Sequence, residues 1–184
     1  AEELDLIIVG TLTPDYLLPS TACLVQDRLG ATKAGAFDVN AACTGFLTAL
    51  HTGEAFIAAG RAKRVLVIGA EKLTSFVDFT DRTSCIIFGD AAGAAVLMPH
   101  DECGQGEILR TTLGADGKGY DFIHMPGGGS RKPPSPETLA KREHFIRMRG
   151  RDVFRFAVTY MGEMVRQMME GYSPDEIGLV VPHQ

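Results

Sequence analysis

Two runs of consecutive apolar residues, Leu6–Val9 and Val65–Ile68, limit the folds open to this chain more than any other feature. A strand with one face in water alternates apolar and polar residues, whereas a strand covered on both faces is apolar throughout. Both runs are far shorter than the roughly 20 residues that span a bilayer. They therefore predict strands in the middle of a sheet that helices cover on both faces.

Helix signals alternate with these strands. A helix is predicted from Pro19 to Leu29, with Ser20 or Thr21 as its N-cap and Gly30 after its end. A second helix is predicted from Ala41 to about Ala59, with Asn40 as its N-cap. It is apolar nearly all round, so we expect a central position. Further strands are predicted at Ala36–Val39, Cys85–Phe88 and Ala94–Met98. This β–α–β–α–β order is typical of a layered α/β fold.

The pattern changes after residue 99. Pro99–Gly106 resembles a linker, and Gly114–Pro136 predicts a long exposed loop. Apolar residues at helical spacing predict a helix over Arg151–Glu170. Two more strands are predicted, at Glu107–Leu113 and Ile177–Val181. Because predicted core strands lie so close to both ends, we expect the natural polypeptide to be longer and residues 1–184 alone to be inactive.

Composition and motifs exclude several function classes. The net charge of −5, from 18 Lys+Arg and 23 Asp+Glu, is unlike that of a nucleic-acid-binding protein with a dominating basic field. The chain starts without the basic region of a secretory signal, and its four cysteines form no Cys-x-x-Cys pair. We therefore expect a cytoplasmic protein with reduced thiols, no metal site and no membrane segment.

Cys43 is the first candidate for chemistry. With Asn40 as N-cap, Cys43 falls in the first turn of a helix, where the helix dipole and free N–H groups favour a thiolate. A thiolate is the nucleophile of cysteine enzymes, and the same N–H groups could stabilise an oxyanion. A free cysteine is more often a small buried hydrophobic residue, so the position alone leaves both interpretations open.

His183 is the second candidate. It follows the predicted strand Ile177–Val181, and open α/β sheets place their sites at the carboxyl ends of strands. A single histidine there is more often a structural group, and this alternative also stays open. The small residues of Phe88–Ala95 permit close backbone approach, which packing alone could require.

Four segments, read together, resemble a known family. In chain order they are Asp38–Phe46 (DVNAACTGF), Asp81-Arg82, Ile87–Val96 (IFGDAAGAAV) and Val181–Gln184 (VPHQ). The set is similar to the β-ketoacyl-acyl-carrier-protein synthase III family, which initiates bacterial type II fatty-acid synthesis. The resemblance implies a thiolase-like fold of two similar βαβαβαββ halves in α-β-α-β-α layers. Residues 1–99 would belong to the first half and residues 100–184 to the second.

The resemblance implies a reaction and two catalytic residues. Cys43 would take the acyl group of an acyl-CoA primer as a thioester. Malonyl on acyl carrier protein would lose CO₂, and the resulting carbanion would attack that thioester. His183 would stabilise charge on the malonyl carbonyl, together with a family Asn that lies beyond residue 184. No cofactor or metal is implied, because decarboxylation supplies the carbanion.

The resemblance also implies binding residues and a homodimer. Arg82 would stack on the adenine of CoA, and Gly150 would belong to the same substrate site. Arg151 and Arg155 would dock the acidic carrier protein. The primer pocket would have four walls, whose residues could equally be plain core: Leu18, Leu73, Phe88 and Ile146.

Two other functions fit the same residues. One is a related condensing enzyme of secondary metabolism, which would use Cys43 and His183 with another acyl donor. The other is a non-catalytic thiolase-like subunit that binds acyl carriers. Acylation of Cys43 distinguishes an enzyme from a binding subunit, and the donor profile distinguishes the two kinds of enzyme.

Overall fold

The computed structural model describes residues 1–183, and their contacts divide the chain into two compact units. The first unit contains residues 1–75 and 88–113. The second contains residues 76–87 and those from Gly114 onwards. The chain therefore leaves the first unit and returns to it before the second is completed. The predicted division at residue 99 concerns the two halves of a whole thiolase-like enzyme, and it stays a prediction.

The first unit is built on a four-stranded sheet of order β2-β1-β3-β4. Its strands are β1 (Leu6–Gly10), β2 (Gly35–Val39), β3 (Val65–Lys72) and β4 (Asp90–Leu97). β1 runs parallel to both β2 and β3, whereas β4 is antiparallel to β3. The two apolar runs of the sequence thus form the neighbouring strands β1 and β3, as predicted.

Helices cover both faces of this sheet. Ile7 and Val9 pack with Ala22 of α1 (Thr21–Leu29) on one face. Leu6 and Ile8 pack with Ala49 of α2 (Gly45–Ala58) on the other. Because successive side chains of a strand point to opposite faces, a strand between two helices must be apolar at every position. Ile7, Ile8 and Val9 are fully buried.

Sequence-local signals fix both ends of α1. The Ser20 hydroxyl accepts a hydrogen bond from the Cys23 amide, so Ser20 is the N-cap. The Asp38 carboxylate, on β2, accepts the N–H groups of Thr21 and Ala22 at 2.7 and 2.8 Å. Gly30 ends the helix in the left-handed conformation that glycine adopts without strain.

Two glycines of the sheet let the start of α2 approach the strands closely. A Cβ on Gly10, at the end of β1, would lie 2.9 Å from the Gly45 Cα and closer still to its carbonyl group. A Cβ on Gly69 of β3 would lie 2.8 Å from the Phe46 Cβ. Since Gly10 and Gly69 are paired in the sheet, the first residues of α2 rest on the carboxyl ends of two parallel strands.

The second unit contains α5 (Gly150–Met168) and a two-stranded ribbon of β5 (Ile123–His124) and β6 (Arg147–Met148). A short helix, α4 (Pro136–Ala140), begins at Ser135 with a capping box. The Ile146 amide donates to the Phe76 carbonyl at 2.8 Å, which joins residues 76–87 to the rest of the unit. The prediction of a long helix here is confirmed.

Three predicted strands are wrong. Cys85–Phe88 forms turns, in which the Cys85 amide donates to the Asp81 carbonyl, and Ile86 is 81% exposed. Glu107–Leu113 and Ile177–Val181 are irregular. A short apolar run has strand composition, but it becomes a strand only where a neighbour pairs with its backbone. None of the three has such a neighbour among residues 1–183.

Two further expectations need correction. The linker Pro99–Gly106 contains one helical turn, α3 (His100–Cys103). The second helix is not enclosed on all sides, because its buried residues are Gly45, Ala49 and Gly53, whereas Leu47 is 60% exposed. Within this chain, only the side of α2 that packs on the sheet is buried.

The contact between β1 and α2 predicts that Gly10→Ala destabilises the intact protein. The added methyl group would collide with backbone atoms of Gly45, which cannot rotate away as a side chain can. We expect the free energy of unfolding in urea to fall by about 3 kcal/mol, the upper end of the range for overpacking.

Gly93→Ala on β4 is the matched control, because nothing lies within 4 Å of a Cβ at Gly93. Its free energy of unfolding should stay unchanged or rise slightly. Equal changes in the free energy of unfolding for Gly10→Ala and Gly93→Ala would contradict the close contact between Gly10 and Gly45.

Candidate active site

Cys43 lies in a single 3-10 turn, Ala42–Thr44, that leads into α2. The Thr44 amide and hydroxyl both donate to the Ala41 carbonyl, at 3.1 and 2.8 Å. No side chain caps this turn, so the prediction that Asn40 is the N-cap is wrong. Cys43 nevertheless lies just before the helix, at the carboxyl edge of the parallel strands.

The residue before Cys43 has a strained backbone. Ala42 has a φ of 45°, in the left-handed region that side chains other than glycine rarely adopt. Such a conformation costs on the order of 1–3 kcal/mol and persists where the surrounding structure imposes it. Here the Gly45 contact on one side and the end of β2 on the other fix the path of the turn. The strain therefore lies next to the candidate nucleophile.

The thiol of Cys43 is held in its protonated form more strongly than a free cysteine. Protein atoms on its inner side withdraw the sulfur from water, and this desolvation raises its pKa, although the residue as a whole is exposed. The backbone N–H of Cys43 lowers the pKa, and the negative charge of Glu71 raises it further. The N–H of Cys43 at the start of the helix thus acts in the predicted direction, but desolvation outweighs it, so the predicted preference for the thiolate is not met.

Three of the predicted pocket residues belong to the first unit. Leu18 is 82% exposed in the segment between β1 and α1. Leu73, in the turn after β3, and Phe88, just before β4, are half-buried. Their roles as pocket walls stay predictions.

Arg82 lies in an ordered loop of the second unit. The carboxylate of Asp78 accepts hydrogen bonds from the Thr80 amide and hydroxyl, and that of Asp81 accepts the equivalent pair from Thr83. Arg142 donates to both oxygens of Asp78, at 2.7 and 2.5 Å. The loop is therefore fixed on both sides of Arg82, whose own side chain is exposed.

The Asp78 carboxyl is the most strongly perturbed acid of this unit. The two hydrogen bonds from Arg142 are the largest cause that lowers its pKa far below the ordinary value, and those from Thr80 add to the effect. Bidentate pairs of this kind combine charge with fixed geometry. Sequence analysis missed the pair because its members are 64 positions apart.

The exposed face of α5 carries three of the predicted residues. Gly150, Arg151 and Arg155 line one open groove, whose floor includes Phe154 and Val158. Arg149, just before the helix, pairs with Asp152 at 2.7 Å and with Asp121 at 2.9 Å. Within residues 1–183, by contrast, Arg151 and Arg155 form no ion pair, so their charges are available at the surface.

The remaining predicted residues lie in the second unit. His183 is exposed in irregular chain, so its predicted place after a strand is wrong. Ile146 is half-buried beside β6. Each predicted residue is thus placed within its own unit: Cys43, Leu18, Leu73 and Phe88 in the first, and Arg82, Ile146, Gly150, Arg151, Arg155 and His183 in the second.

Comparison with known proteins assigns the chain to a family. Residues 37–117 match the family model of 3-oxoacyl-[acyl-carrier-protein] synthase III. The β-ketoacyl-[acyl-carrier-protein] synthase III of Desulfitobacterium hafniense is 51% identical over 185 aligned residues, which include 100% of this chain. The chain belongs to the synthase III family. It spans about 55% of the length of that relative.

Solved structures of synthase III share the fold. The enzyme of Aquifex aeolicus VF5 superposes with a TM-score of 0.83 at 45% identity, over 99% of this chain and 54% of its own. The priming β-ketosynthase of the R1128 polyketide biosynthetic pathway gives a TM-score of 0.76 at 31% identity, over 94% of this chain and 50% of its own. The predicted thiolase-like fold class is confirmed.

Residues 1–183 lack two kinds of feature. None of the helices has both the length and the apolar character needed to cross a membrane. The same residues contain no cluster of three or more His, Cys, Asp or Glu side chains arranged to hold a metal ion.

The Asp78–Arg142 pair predicts a stability that depends on pH. Because the folded pKa of Asp78 is depressed, its contribution is present above the unfolded value of about 4 and is lost as the pH falls further. Asp78→Asn should therefore unfold at lower urea concentration than the parent at neutral pH. The difference in the urea concentration of unfolding between the variant and the parent should narrow below about pH 4.

Glu137→Gln supplies the control for this prediction. Its pair with Lys141 is an exposed i,i+4 contact, and such pairs contribute little to stability. If the urea concentrations of unfolding of Asp78→Asn and the parent differed by the same amount at every pH, the stabilising role of the Asp78–Arg142 pair would be contradicted.

Proposed function

We propose that the protein containing this chain condenses an acyl-CoA primer with malonyl-acyl carrier protein, and so initiates type II fatty-acid synthesis. The observation that supports this most directly is the placement of Cys43. It lies in a strained turn at the carboxyl edge of parallel strands, in the segment that matches the synthase III family model. Ligand sites of open α/β sheets lie at that edge.

The first half-reaction is transfer of the acyl group to Cys43. The sulfur attacks the thioester carbonyl of acyl-CoA, the bond from that carbon to the CoA sulfur breaks, and the thiol proton ends on the released CoA. The free thiol is the resting form, because desolvation and Glu71 raise its pKa. A neutral thiol at rest is protected from oxidation, which requires thiolate character.

The second half-reaction uses the malonyl carrier. Loss of CO₂ leaves an electron pair on the α-carbon, which attacks the carbonyl carbon of the Cys43 thioester and displaces the sulfur as a thiolate. The thiolate then takes a proton from solvent and returns to the resting thiol. His183 stabilises the charge that develops on the malonyl carbonyl oxygen, as the family resemblance implies. The reaction requires no metal or cofactor, since decarboxylation supplies the carbanion.

The binding roles are those that the family resemblance implies. The exposed guanidinium of Arg82 extends from a loop held by Asp78 and Arg142, and it stacks on the adenine of CoA. Gly150 belongs to the same substrate site. By the same resemblance, the primer pocket is assigned the apolar residues Leu18, Leu73, Phe88 and Ile146. We place the enzyme in the cytoplasm as a homodimer.

The α5 groove is the docking surface for the carrier. Arg151 and Arg155 are free of ion pairs within residues 1–183, and Phe154, 71% exposed, lies between them. A basic rim around an apolar centre suits an acidic partner whose approach is guided by charge.

A second candidate function is priming of a polyketide chain by the same condensation. It is supported by the 31% identity to the R1128 priming β-ketosynthase. The two candidates differ in the primer and carrier that they prefer. Comparing acetyl-CoA with longer and branched acyl-CoA donors, and fatty-acid carrier with polyketide carrier, distinguishes them. A thiolase-like subunit without catalysis would form no thioester with any donor.

Incubation of the intact protein with acetyl-CoA tests the proposed nucleophile. Peptide mass spectrometry should find the acetyl group on Cys43, and Cys43→Ala should lose both the adduct and the condensation product. Cys23 is the internal control, because its side chain is also exposed but lies on α1, which covers the opposite face of the sheet from α2. An acetyl group on Cys23, Cys85 or Cys103 with Cys43 unmodified would contradict the proposal.

Charge reversal in the groove tests the docking surface. Arg155→Glu should raise the KM for malonyl-carrier at least about tenfold at low salt and leave the KM for acetyl-CoA unchanged. High salt should reduce the difference, since it screens surface charge. Arg166→Glu, near the other end of α5 and outside the groove, is the matched control. Equal effects of the two reversals would exclude this docking surface.

A further inference from the structure

Glu71, near the end of β3, receives two hydrogen bonds from the segment that follows β1. Its Oε1 accepts the Leu12 amide at 2.9 Å, and its Oε2 accepts the Thr13 hydroxyl at 2.6 Å. Both donors lie nearly 60 positions away in the chain. The carboxylate thus joins two neighbouring strands at the point where each of them ends.

These contacts extend to the third parallel strand. The Thr13 oxygen accepts the Lys72 amide at 2.7 Å, and the Thr13 amide donates to the Thr11 hydroxyl at 3.1 Å. The Thr11 amide in turn donates to the carbonyl of Val39, the last residue of β2, at 3.1 Å. Glu71 is therefore the anchor of a polar network across the carboxyl ends of β1, β2 and β3.

Register places the Glu71 side chain on the same face as the Cys43 turn. Gly69 faces Phe46 of α2, and residues two apart in a strand share a face. Glu71 therefore extends toward the side of the sheet that α2 covers. Cys43 lies on that side too, two residues before Gly45, which contacts Gly10.

We propose that Glu71 is a positioning residue for Cys43: its carboxylate fixes the chain after β1 to the end of β3, on the face of the sheet that carries the Cys43 turn, and it places a negative charge on that face. Desolvation is the larger cause of the raised pKa of Cys43, and Glu71 is the charged side chain that adds to it. The proposal rests on the proposed role of Cys43 as nucleophile. Its test measures alkylation and not condensation, so the two can fail separately.

Other charged groups at this edge of the first unit are engaged elsewhere. Asp38 faces the amides of α1. Asp90 accepts the amide and hydroxyl of Thr74 and lies 3.9 Å from the Lys72 ammonium. Lys72 and Asp90 are paired in the sheet, one position away from Glu71, and thus lie on the opposite face from the Cys43 turn. His51, on α2, binds Thr111 at 2.6 Å.

Glu71→Gln separates the charge from the hydrogen bonds, because the amide oxygen can still accept the Leu12 N–H. The pH dependence of iodoacetamide alkylation is measured on the intact protein, with Cys43 quantified by peptide mass spectrometry. We expect the pKa of Cys43 alkylation to fall, because the negative charge that raises it is removed. The rate at neutral pH should rise by less than the gain in thiolate, since a thiolate of lower pKa is a weaker nucleophile.

Asp90→Asn is the matched control, because it removes one negative charge and keeps an equivalent pair of contacts to Thr74. The pKa of Cys43 alkylation should not change in this variant. An unchanged pKa in folded Glu71→Gln, or equal shifts in both variants, would overturn the proposal.

The parent protein supplies the same test if Glu71→Gln does not fold. Screening at about 1 M NaCl should lower the pKa of Cys43 alkylation relative to low salt, since it weakens the repulsion between Glu71 and a thiolate. A pKa independent of salt would overturn the electrostatic role.

Discussion

The contact between the backbones of Gly10 and Gly45 determines where the rest of the candidate site lies. It allows α2 to begin directly on the ends of β1 and β3, where any side chain at Gly10 would force the helix away. The chain between β2 and Gly45 must then turn tightly. A left-handed Ala42 and a single 3-10 turn accomplish this, and Cys43 occupies that turn. Close packing of small residues thus positions the sulfur independently of any polar interaction.

Polar contacts then adjust the reactivity of the sulfur. The start of a helix and the N–H of Cys43 favour a thiolate, but desolvation and the Glu71 carboxylate oppose it and raise the pKa. The same carboxylate connects Leu12 and Thr13 to β3. Structural and electrostatic roles therefore coincide in one side chain. A thiol that is neutral at rest suits this reaction, because the CoA that leaves the acyl donor can accept the thiol proton.

Features encoded by neighbouring residues were predictable from the sequence, and features that join distant residues were not. Ser20 and Gly30 bound α1 as predicted, because capping depends on adjacent amides. The apolar runs gave β1 and β3. Cys85–Phe88 has strand composition but no strand beside it, and the turns around Asp81 satisfy its backbone instead. Position and motif identify Cys43 as a candidate from the sequence. The effect of the Glu71 charge on the pKa of Cys43 depends on the fold, and no local sequence pattern encodes it.

A crystal structure of the intact protein tests the central claim, that backbone contact at glycine positions places Cys43 at the carboxyl edge of the sheet. It should show Ala42 with a positive φ near 45°, Gly45 against Gly10, and the Leu12 amide bonded to Glu71. An Asn40-capped helix that begins at Ala41, with Ala42 in the ordinary helical region and Gly45 separated from Gly10, would contradict the account.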